Sequence, residues 1–291
     1  FRGAPINTTE NRPVQHPESR RPEHQNTADY KKCADFAEAV RSNPDITAVV
    51  NLGTGGSDLG PKMVTAALAG YHDGPACYFV GNICPSDLHD ALGKCTPQTP
   101  VFIITSKTFT TAETMANAAI AKNWLEQHGV DFGKAMVAVT AAGPRAREGG
   151  IDPQHILTFA EGVGGRYSLW SPVGLAAMIA IGSDDFASML AGGYAMDCHV
   201  QQAELQQNIG VIMGLLRVWH RSYLHRPAYG LIPYDQRLAQ LPAWAQQLEM
   251  ESNGKAVDRH GHGLQRPAGP LLWGAPGTNA QHSFFQWLHQ S

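Results

Sequence analysis

Five short apolar runs, separated by helix-like segments, are the feature that most constrains the fold of this chain. They are Ile46–Leu52, Cys77–Gly81, Val101–Thr105, Met136–Thr140 and Ile156–Phe159. Because each run is apolar throughout, and does not alternate with polar residues, both faces of the resulting sheet should be covered. Strands that alternate with helices form parallel βαβ units. The sequence therefore predicts an α/β fold with a parallel five-stranded sheet flanked by helices.

The composition changes on either side of this region. Residues 1–28 are rich in proline and polar side chains, which predicts an extended N-terminal segment before a first domain over residues 29–183. Long helical stretches follow and predict part of a second, helix-rich domain over residues 184–291: Asp184–Gln207, Ile209–Tyr223 and Asp235–Asn253. Since the chain begins at Phe1 and stops within a helical pattern at Ser291, we expect it to be truncated at both ends.

Charge and cysteine usage exclude several classes of protein. The formal net charge of the 291 residues is −3, which gives no reason to expect a nucleic-acid partner. No apolar stretch approaches the roughly 20 residues that a membrane span needs, and no signal-peptide pattern opens the chain. The five cysteines form no CxxC pair, which argues against a disulfide framework or a zinc ribbon. These features predict a cytoplasmic protein that is not bound to a membrane.

The first polar junction, GTGGSDLG over residues 53–60, follows the first predicted strand. Its glycines would let backbone N–H groups approach a ligand, and the next helix would offer its positive end to an anion. A tight turn capped by Ser57 or Asp58 explains the same residues without a ligand. The loop has neither GxGxxG spacing nor a GK[ST] ending, so nucleotide binding is weakly supported.

A second polar junction, Ser106–Thr111, follows the third predicted strand. Thr110 and Glu113 match a capping box, which is a purely structural explanation for those two residues. Ser106, Lys107 and Thr108 have no such explanation. A lysine beside several hydroxyls and free helix N–H groups suits a phosphate monoester. Because ligands of parallel sheets bind at the carboxyl ends of strands, the two junctions together predict a phosphorylated small molecule.

Further candidates lie in glycine-containing segments towards the end of the chain. Arg166 follows a glycine pair after the fifth strand, where a guanidinium could stabilise an oxyanion, although a surface arginine is the simpler explanation. Glu251 lies four residues after Gln247 on one helix face, where it is either solvated or a general base. His282 is either part of a helix end or a proton-transfer group.

A metal site is not expected. Asp258, His260 and His262 lie beside a turn, without the helical or paired spacing of known metal sites.

Five segments taken together resemble the glucose-6-phosphate isomerase (phosphoglucose isomerase) family, in the same order and over nearly the whole chain from Asn7. They are GTGGSDLG, SKTFTTAET, GGRYSLWSPVGL, PYDQ with QQLEMESNGK, and GAPGTNAQHSFFQWLHQ. The resemblance implies the sugar-isomerase (SIS) fold with two domains. It also implies a homodimer that interconverts glucose 6-phosphate and fructose 6-phosphate through a cis-enediol intermediate, without a metal or cofactor.

The resemblance also implies roles for individual residues. Glu251 stands at the position of the catalytic base, Arg166 at that of the intermediate-stabilising arginine, and His282 at that of a ring-opening histidine that reaches the site from the other subunit. The substrate-binding positions are Gly56 and Ser57 beside the sugar, Ser106, Lys107, Thr108 and Thr111 around the phosphate, and the substrate-contacting Gln247.

Two departures from the family pattern, and one competing class of protein, leave alternatives open. The family's ring-opening lysine would lie beyond Ser291, so an inactive fragment of the isomerase is one alternative. A non-catalytic sugar-phosphate-binding regulatory SIS module is a second, although it would not need Glu251, Arg166 and His282 together. The run after TENR also diverges from the family pattern, which leaves the substrate range open.

Overall fold

The computed structural model describes residues 12–290. The chain divides into two compact units, residues 1–191 and 192–291, and the division falls within one long helix. The predicted domain boundary at residues 183/184 lies at the start of that same helix. Part of the predicted extended segment, residues 1–11, falls outside the described residues.

Unit 1 is built on a five-stranded parallel sheet with strand order β2-β1-β3-β4-β5. The strands are β1 (Ala48–Leu52), β2 (Ala76–Val80), β3 (Pro100–Thr105), β4 (Met136–Thr140) and β5 (Ile156–Thr158). Every residue of β1, β3 and β4 is buried, which accounts for their continuous apolar character. The predicted parallel α/β fold is confirmed, and each predicted strand lies within two residues of its observed bounds.

The strand order creates a switch point between β1 and β3. The connection after β1 leads to β2 on one side and the connection after β3 leads to β4 on the other, so the two connections diverge at the carboxyl edge. The carboxyl ends of β1, β2 and β3 lie side by side, because Leu52 pairs with both Val80 and Ile104. The two polar junctions of the sequence follow β1 and β3, and therefore adjoin the crevice where ligands of such sheets bind.

Helices cover the sheet and enclose its core. They are α1 (Ala28–Ser42), α2 (Leu59–Ala67), α3 (Pro85–Leu92), α4 (Ala112–Gln127), α5 (Phe132–Ala135), α6 (Gly143–Glu148) and α7 (Leu175–Ile181). All seven side chains of α7 are buried. A second group of buried apolar residues, including Phe102 and Leu125, packs beneath α3 and α4.

The N-terminal segment contains short helices where extended chain is predicted. Glu18–Arg20 and Pro22–Asn26 are 3₁₀ helices. Proline accounts for both, because Pro17 precedes the first helix and Pro22 begins the second, and each ring fixes φ near the helical value. The prolines that predicted extended chain therefore begin short 3₁₀ helices in this segment.

Unit 2 consists of helices and a two-stranded parallel sheet. The long helix α8 (Ser183–Gln202) leads into it, followed by α9 (Ile209–Val218), β6 (Ala228–Gly230), α10 (Leu241–Gln246), β7 (Leu271–Trp273), α11 (Gly277–Gln281) and α12 (Phe285–Gln290). Five-residue π-helical turns, Trp219–Tyr223 and Gln247–Glu251, extend α9 and α10. The helical pattern of this half was predicted, whereas its two short strands were not.

Across residues 12–290, no helix combines the length and the apolar character needed to cross a bilayer.

Candidate functional site

The turn after β1 is held by a buried amide that also reaches the end of β3. Asn51 is fully buried within the apolar strand. Its Nδ2 donates to the carbonyl of Ser57 at 3.0 Å, and its Oδ1 accepts from Thr105 Oγ1 at 2.9 Å. A buried amide is costly unless its groups are paired, and this pairing joins the two polar junctions. Asn51 thereby fixes the position of Ser57 relative to Thr105, the last residue of β3.

The second junction presents a group of hydroxyls in front of helix α4. Ser106 Oγ and Thr111 Oγ1 lie 3.1 Å apart, and Thr108 Oγ1 and Thr110 Oγ1 lie 2.7 Å apart. The helix begins at Ala112 with Thr111 as its N-cap, and no described side chain caps it. The capping box predicted from Thr110 and Glu113 is therefore wrong, because Thr110 bonds within the loop. The first-turn N–H groups of α4 remain available to an anion.

Backbone contacts hold this loop rigidly. The carbonyl of Lys107 accepts from the N–H of Ala141 and from Thr140 Oγ1, both at 3.0 Å. Phe109 adopts the left-handed conformation, with φ of 53°, while its ring is buried in the core. Such a conformation is unfavourable for a bulky residue and persists where packing imposes it. The core thus sets the loop conformation that exposes Thr108 and its neighbours.

The loop that carries Arg166 packs directly against the first junction. A Cβ placed on Gly56 would lie 2.2 Å from the carbonyl carbon and oxygen of Gly165, so the two backbones touch. Gly165 itself has φ of 58°, which glycine adopts readily. Ser168 strengthens the contact, since its Oγ donates to the carbonyl of Gly165 at 2.6 Å and lies 3.4 Å from that of Gly56.

The same loop also meets the second junction. A Cβ on Gly164 would lie 3.0 Å from Cδ and 3.2 Å from Nζ of Lys107. The lysine side chain therefore lies across Gly164, two residues before Arg166. The Arg166 guanidinium is half-buried, with its Cζ 5.1 Å from the centre of the Tyr167 ring. Three loops that are distant in the sequence thus converge at the carboxyl edge of one sheet.

The N-terminal segment supports this loop from outside. The N–H of Gln15 donates to the carbonyl of Gly162 at 2.9 Å, and Gln15 Oε1 accepts from the N–H of Gly162 at 3.2 Å. His16 Nε2 lies 3.1 Å from the nitrogen and 3.0 Å from the oxygen of Gly164. The backbone before Arg166 is therefore tied to a segment that precedes the first helix.

Asp58 is a buried carboxyl beside the first junction. It is the N-cap residue of α2 but makes no capping hydrogen bond, contrary to one expectation from the sequence. Its carboxylate packs against Gly81, and its Oδ1 has no hydrogen-bond partner among residues 12–290. Burial raises the pKa of Asp58 to about 6, with Asp87 adding to this effect and Lys62 opposing it.

In unit 2, Gln247 and Glu251 occupy the same π-helical turn. They are its first and last residues, and the helix continues to Asn253, where the sequence predicts its end. Gln247 Oε1 is buried and accepts no hydrogen bond from any described residue, whereas Glu251 is exposed. π-Helical turns often occur at functional sites. The turn brings together two of the predicted site residues.

Neighbouring groups fix this turn from its other side. Glu249 Oε1 accepts from Arg217 Nε at 2.7 Å and from Asn253 Nδ2 at 3.3 Å. Lys255 Nζ donates to the carbonyl of Glu251. Glu249 thus stabilises the turn through its ion pair with Arg217.

His282 belongs to a different element of unit 2 from Gln247 and Glu251. It is the C-cap residue of α11 and is exposed. Asp258 accepts hydrogen bonds from the backbone N–H groups of His260 and His262, as expected for a turn. The described residues contain no group of three or more histidine, cysteine, aspartate or glutamate side chains that could hold a metal ion.

Several supporting residues were missed by the sequence analysis. Asn51 gave a signal, since it is a polar residue inside an otherwise apolar strand. Thr140 gave a weaker one, because a threonine at a strand end is common, and Asp58 was considered only as a helix cap. His16 gave none, since its partner is 148 residues away.

A doubly wound parallel sheet, with hydroxyls, a lysine and an arginine gathered at its carboxyl edge, defines an α/β protein of the sugar-isomerase fold. The sequence model for phosphoglucose isomerase matches residues 1–291. The chain therefore belongs to the phosphoglucose isomerase family.

Individual relatives agree with this assignment. The chain is 47% identical over 308 residues to the glucose-6-phosphate isomerase of Ruegeria pomeroyi, covering 100% of this chain and 57% of the relative. It is 52% identical over 268 residues to that of Xanthobacter autotrophicus, covering 89% and 49%. The crystal structure of a glucose-6-phosphate isomerase from Chlamydia trachomatis superposes with a TM-score of 0.89 at 31% identity, covering 97% and 57%. The chain thus spans between 49% and 57% of the length of these relatives.

Proposed function

We propose that the full-length protein is an aldose-ketose isomerase that interconverts glucose 6-phosphate and fructose 6-phosphate through a cis-enediol intermediate. The observation that carries this proposal is the convergence of three loops in unit 1, where Gly56 touches Gly165 and Lys107 lies across Gly164. Family membership supports the same reaction. The regulatory alternative gains no comparable support, because the matched relatives are named as isomerases.

In this proposal the hydroxyl loop and helix α4 bind the phosphate. Ser106, Thr108 and Thr111 supply hydroxyls, Lys107 supplies a positive charge, and the uncapped helix N-terminus supplies N–H groups. Gly56 and Ser57 lie beside the sugar, and Gln247 contacts it. Binding energy from the phosphate, which does not react, holds the reacting carbons in place.

The proton transfer is assigned to Glu251. Its carboxylate takes a proton from C2 of the aldose and returns it to C1, while the proton on the C2 hydroxyl passes to the C1 oxygen at the enediol stage, which gives the ketose. The reverse sequence regenerates the aldose. The enediolate formed between these steps is negatively charged. Arg166, held by its glycine loop, supplies a fixed positive charge for it. His282 assists ring opening, contributed by the other subunit of a homodimer.

The cellular location is proposed on the state of the thiols. All five cysteines are free, with Cys33 buried and Cys84 exposed. Free thiols of this number are typical of a reducing compartment. Together with the reaction, they support a place in the cytoplasm and in glycolysis and gluconeogenesis.

Substitution of the proposed base tests the reaction. In the full-length protein, Glu251→Gln should lower kcat by at least about 100-fold, because the amide cannot accept the proton. The dissociation constant for fructose 6-phosphate should change by less than about threefold, since the proposed phosphate-binding residues lie in the loop after β3. A coupled isomerase assay and isothermal titration calorimetry measure the two quantities.

Glu249→Gln is the matched control for this test. It makes the same chemical change two residues away, at a glutamate whose partner is Arg217. We expect it to lower stability while leaving kcat within about threefold of the unsubstituted protein. Near-normal turnover in Glu251→Gln would refute the assignment of the base.

A further inference from the structure

His16 lies between the N-terminal segment and the loop that precedes Arg166. Its Nε2 is 3.1 Å from the nitrogen and 3.0 Å from the oxygen of Gly164. A neutral ring with its proton on Nδ1 accepts a hydrogen bond from the Gly164 N–H. A ring with a proton on Nε2 donates to the Gly164 carbonyl instead. The protonation state of His16 therefore decides which backbone group of Gly164 is held.

Gly164 in turn touches the phosphate-binding lysine. The Lys107 side chain lies across it, at the distances given above, and Arg166 follows two residues later. A shift of the Gly164 backbone must consequently displace Lys107, Arg166 or both. Through this one glycine, His16 is coupled to two groups of the proposed site.

Positive charges surround His16 on each element packed against it. They are Arg20 on the N-terminal 3₁₀ helix, Lys107 on the loop after β3 and Arg166 on the loop after β5. The Tyr167 ring also lies beside His16, 5.4 Å away between ring centres. Burial, and then these three cations, lower the pKa of His16 below 6.5, while the contact with the Gly164 backbone opposes the shift.

We propose that neutral His16 is a positioning residue, which fixes Gly164 and thereby sets Lys107 and Arg166 in the geometry that binds the sugar phosphate and its enediolate. This role rests on the proposed function. Protonation of His16 removes the acceptor for the Gly164 N–H and adds a further positive charge beside Lys107 and Arg166. The Gly164 backbone is then held by its carbonyl and no longer by its N–H, and the added charge repels Lys107 and Arg166, so the acidic side of the pH profile should contain an ionisation that belongs to His16.

Two substitutions distinguish a positioning role of His16 from a purely structural one. His16→Gln keeps an acceptor and a donor but does not titrate in this range, and His16→Ala removes both. The matched control is His72→Gln, at a half-buried histidine of unit 1 whose Nε2 contacts the Pro75 carbonyl at 2.9 Å. All three are made in the full-length protein.

The activity measurement is kcat and KM for fructose 6-phosphate between pH 5 and 8. We expect His16→Ala to raise KM and lower kcat, with kcat/KM reduced by at least about tenfold. His16→Gln should restore most of the activity near pH 7.5 and lose the ionisation below pH 6.5 that the unsubstituted protein shows. His72→Gln should keep that ionisation. A merely structural role would instead lower thermal stability while leaving KM and the pH profile unchanged, and that result would overturn the proposal.

A second measurement does not depend on turnover. Amide hydrogen exchange at residues 162–166 should be about five- to tenfold faster in His16→Ala, and in the unsubstituted protein should accelerate as the pH falls below 6.5 after correction for intrinsic exchange. ¹⁵N NMR of the imidazole reports whether neutral His16 carries its proton on Nδ1.

The two measurements distinguish the possible failures. Absence of isomerase activity in the unsubstituted protein refutes the proposed function, and the exchange data then decide separately whether His16 holds the loop. Exchange that is the same in His16→Ala and the unsubstituted protein refutes the positioning role, whatever the activity.

Discussion

At the scale of single residues, the site depends on polar groups placed inside an apolar sheet. Asn51 is the clearest example, because one buried amide satisfies both Ser57 and Thr105. Asp58 is the opposite case, since its buried carboxyl has an unpaired oxygen among the described residues. One residue strengthens the edge of the sheet, and the other weakens the folded state at neutral pH.

The free-energy cost of burying the Asp58 carboxylate gives a prediction about how stability depends on pH. Its pKa is about 6 in the folded protein and 3.8 in the unfolded chain, so folding is favoured when it is protonated. The stability linked to Asp58 is therefore greatest below pH 3.8 and is lost as the pH rises through 6. We expect Asp58→Asn to increase the free energy of unfolding by about 2 to 3 kcal/mol at pH 7.5, an advantage that disappears towards pH 4.

Urea unfolding at a series of pH values measures this difference. The exposed Asp45 supplies a control, since Asp45→Asn makes the same change away from the site. A pH-independent effect of Asp58→Asn would show that the carboxyl is charged and compensated in the folded protein.

At the scale of elements, the loops after β1, β3 and β5 act as one unit because their backbones touch. The contact of Gly56 with Gly165 leaves no space for a methyl group. The contact of Gly164 with Lys107 extends the unit to the loop that follows β3. Rigid loops of this kind keep binding groups in place before the ligand arrives.

A methyl group at Gly56 should therefore impair binding as well as stability. Gly56→Ala forces the Gly165 backbone to move, which we expect to cost about 1 to 3 kcal/mol of stability and to weaken fructose 6-phosphate binding at least about tenfold. Calorimetric titration and thermal unfolding of the full-length protein measure both.

The helix α8 offers the matched control, because a Cβ at Gly192 would meet no atom within 4 Å. Gly192→Ala should leave binding unchanged and stabilise the helix by about 0.5 to 1 kcal/mol. Unchanged binding in Gly56→Ala would contradict the view that the two loops are rigidly joined.

The same elements show what sequence patterns can and cannot predict. The strands of unit 1 were predicted because both of their faces are buried, so the apolar runs are continuous. Strands β6 and β7 were missed because each has only three residues and β6 is exposed throughout. The capping box at Thr110 failed because a loop hydroxyl competed for the threonine. Contacts such as that of His16 depend on the assembled sheet and leave no local signal.

At the scale of the whole molecule, the proposed site residues are distributed over both compact units. Ser106, Lys107 and Arg166 belong to unit 1, whereas Glu251 and His282 belong to unit 2. A reaction that uses all of them requires both units. The proposal that His282 comes from a second subunit adds a requirement for two copies of the chain.

Mixing two inactive variants tests this requirement. If Glu251 and His282 of different subunits form one site, a hybrid of Glu251→Gln and His282→Ala full-length proteins contains one site with both groups intact. We expect a mixture to recover up to about a quarter of the unsubstituted activity after subunit exchange, since half of the dimers are hybrids with one complete site each. Isomerase assays with parallel native mass spectrometry measure recovery and exchange. Exchange without recovered activity would count against a shared site.

The bond between His16 and Gly164 has a consequence for how the protein is made. The two residues are 148 positions apart, and synthesis proceeds from the N-terminus at about 5 to 20 residues per second, so His16 waits roughly 7 to 30 s for its partner. Every strand of the main sheet is translated during that interval. The nascent chain can thus pair its strands on the ribosome before the segment that carries His16 forms its hydrogen bond to Gly164, which makes this contact one of the last to form in unit 1.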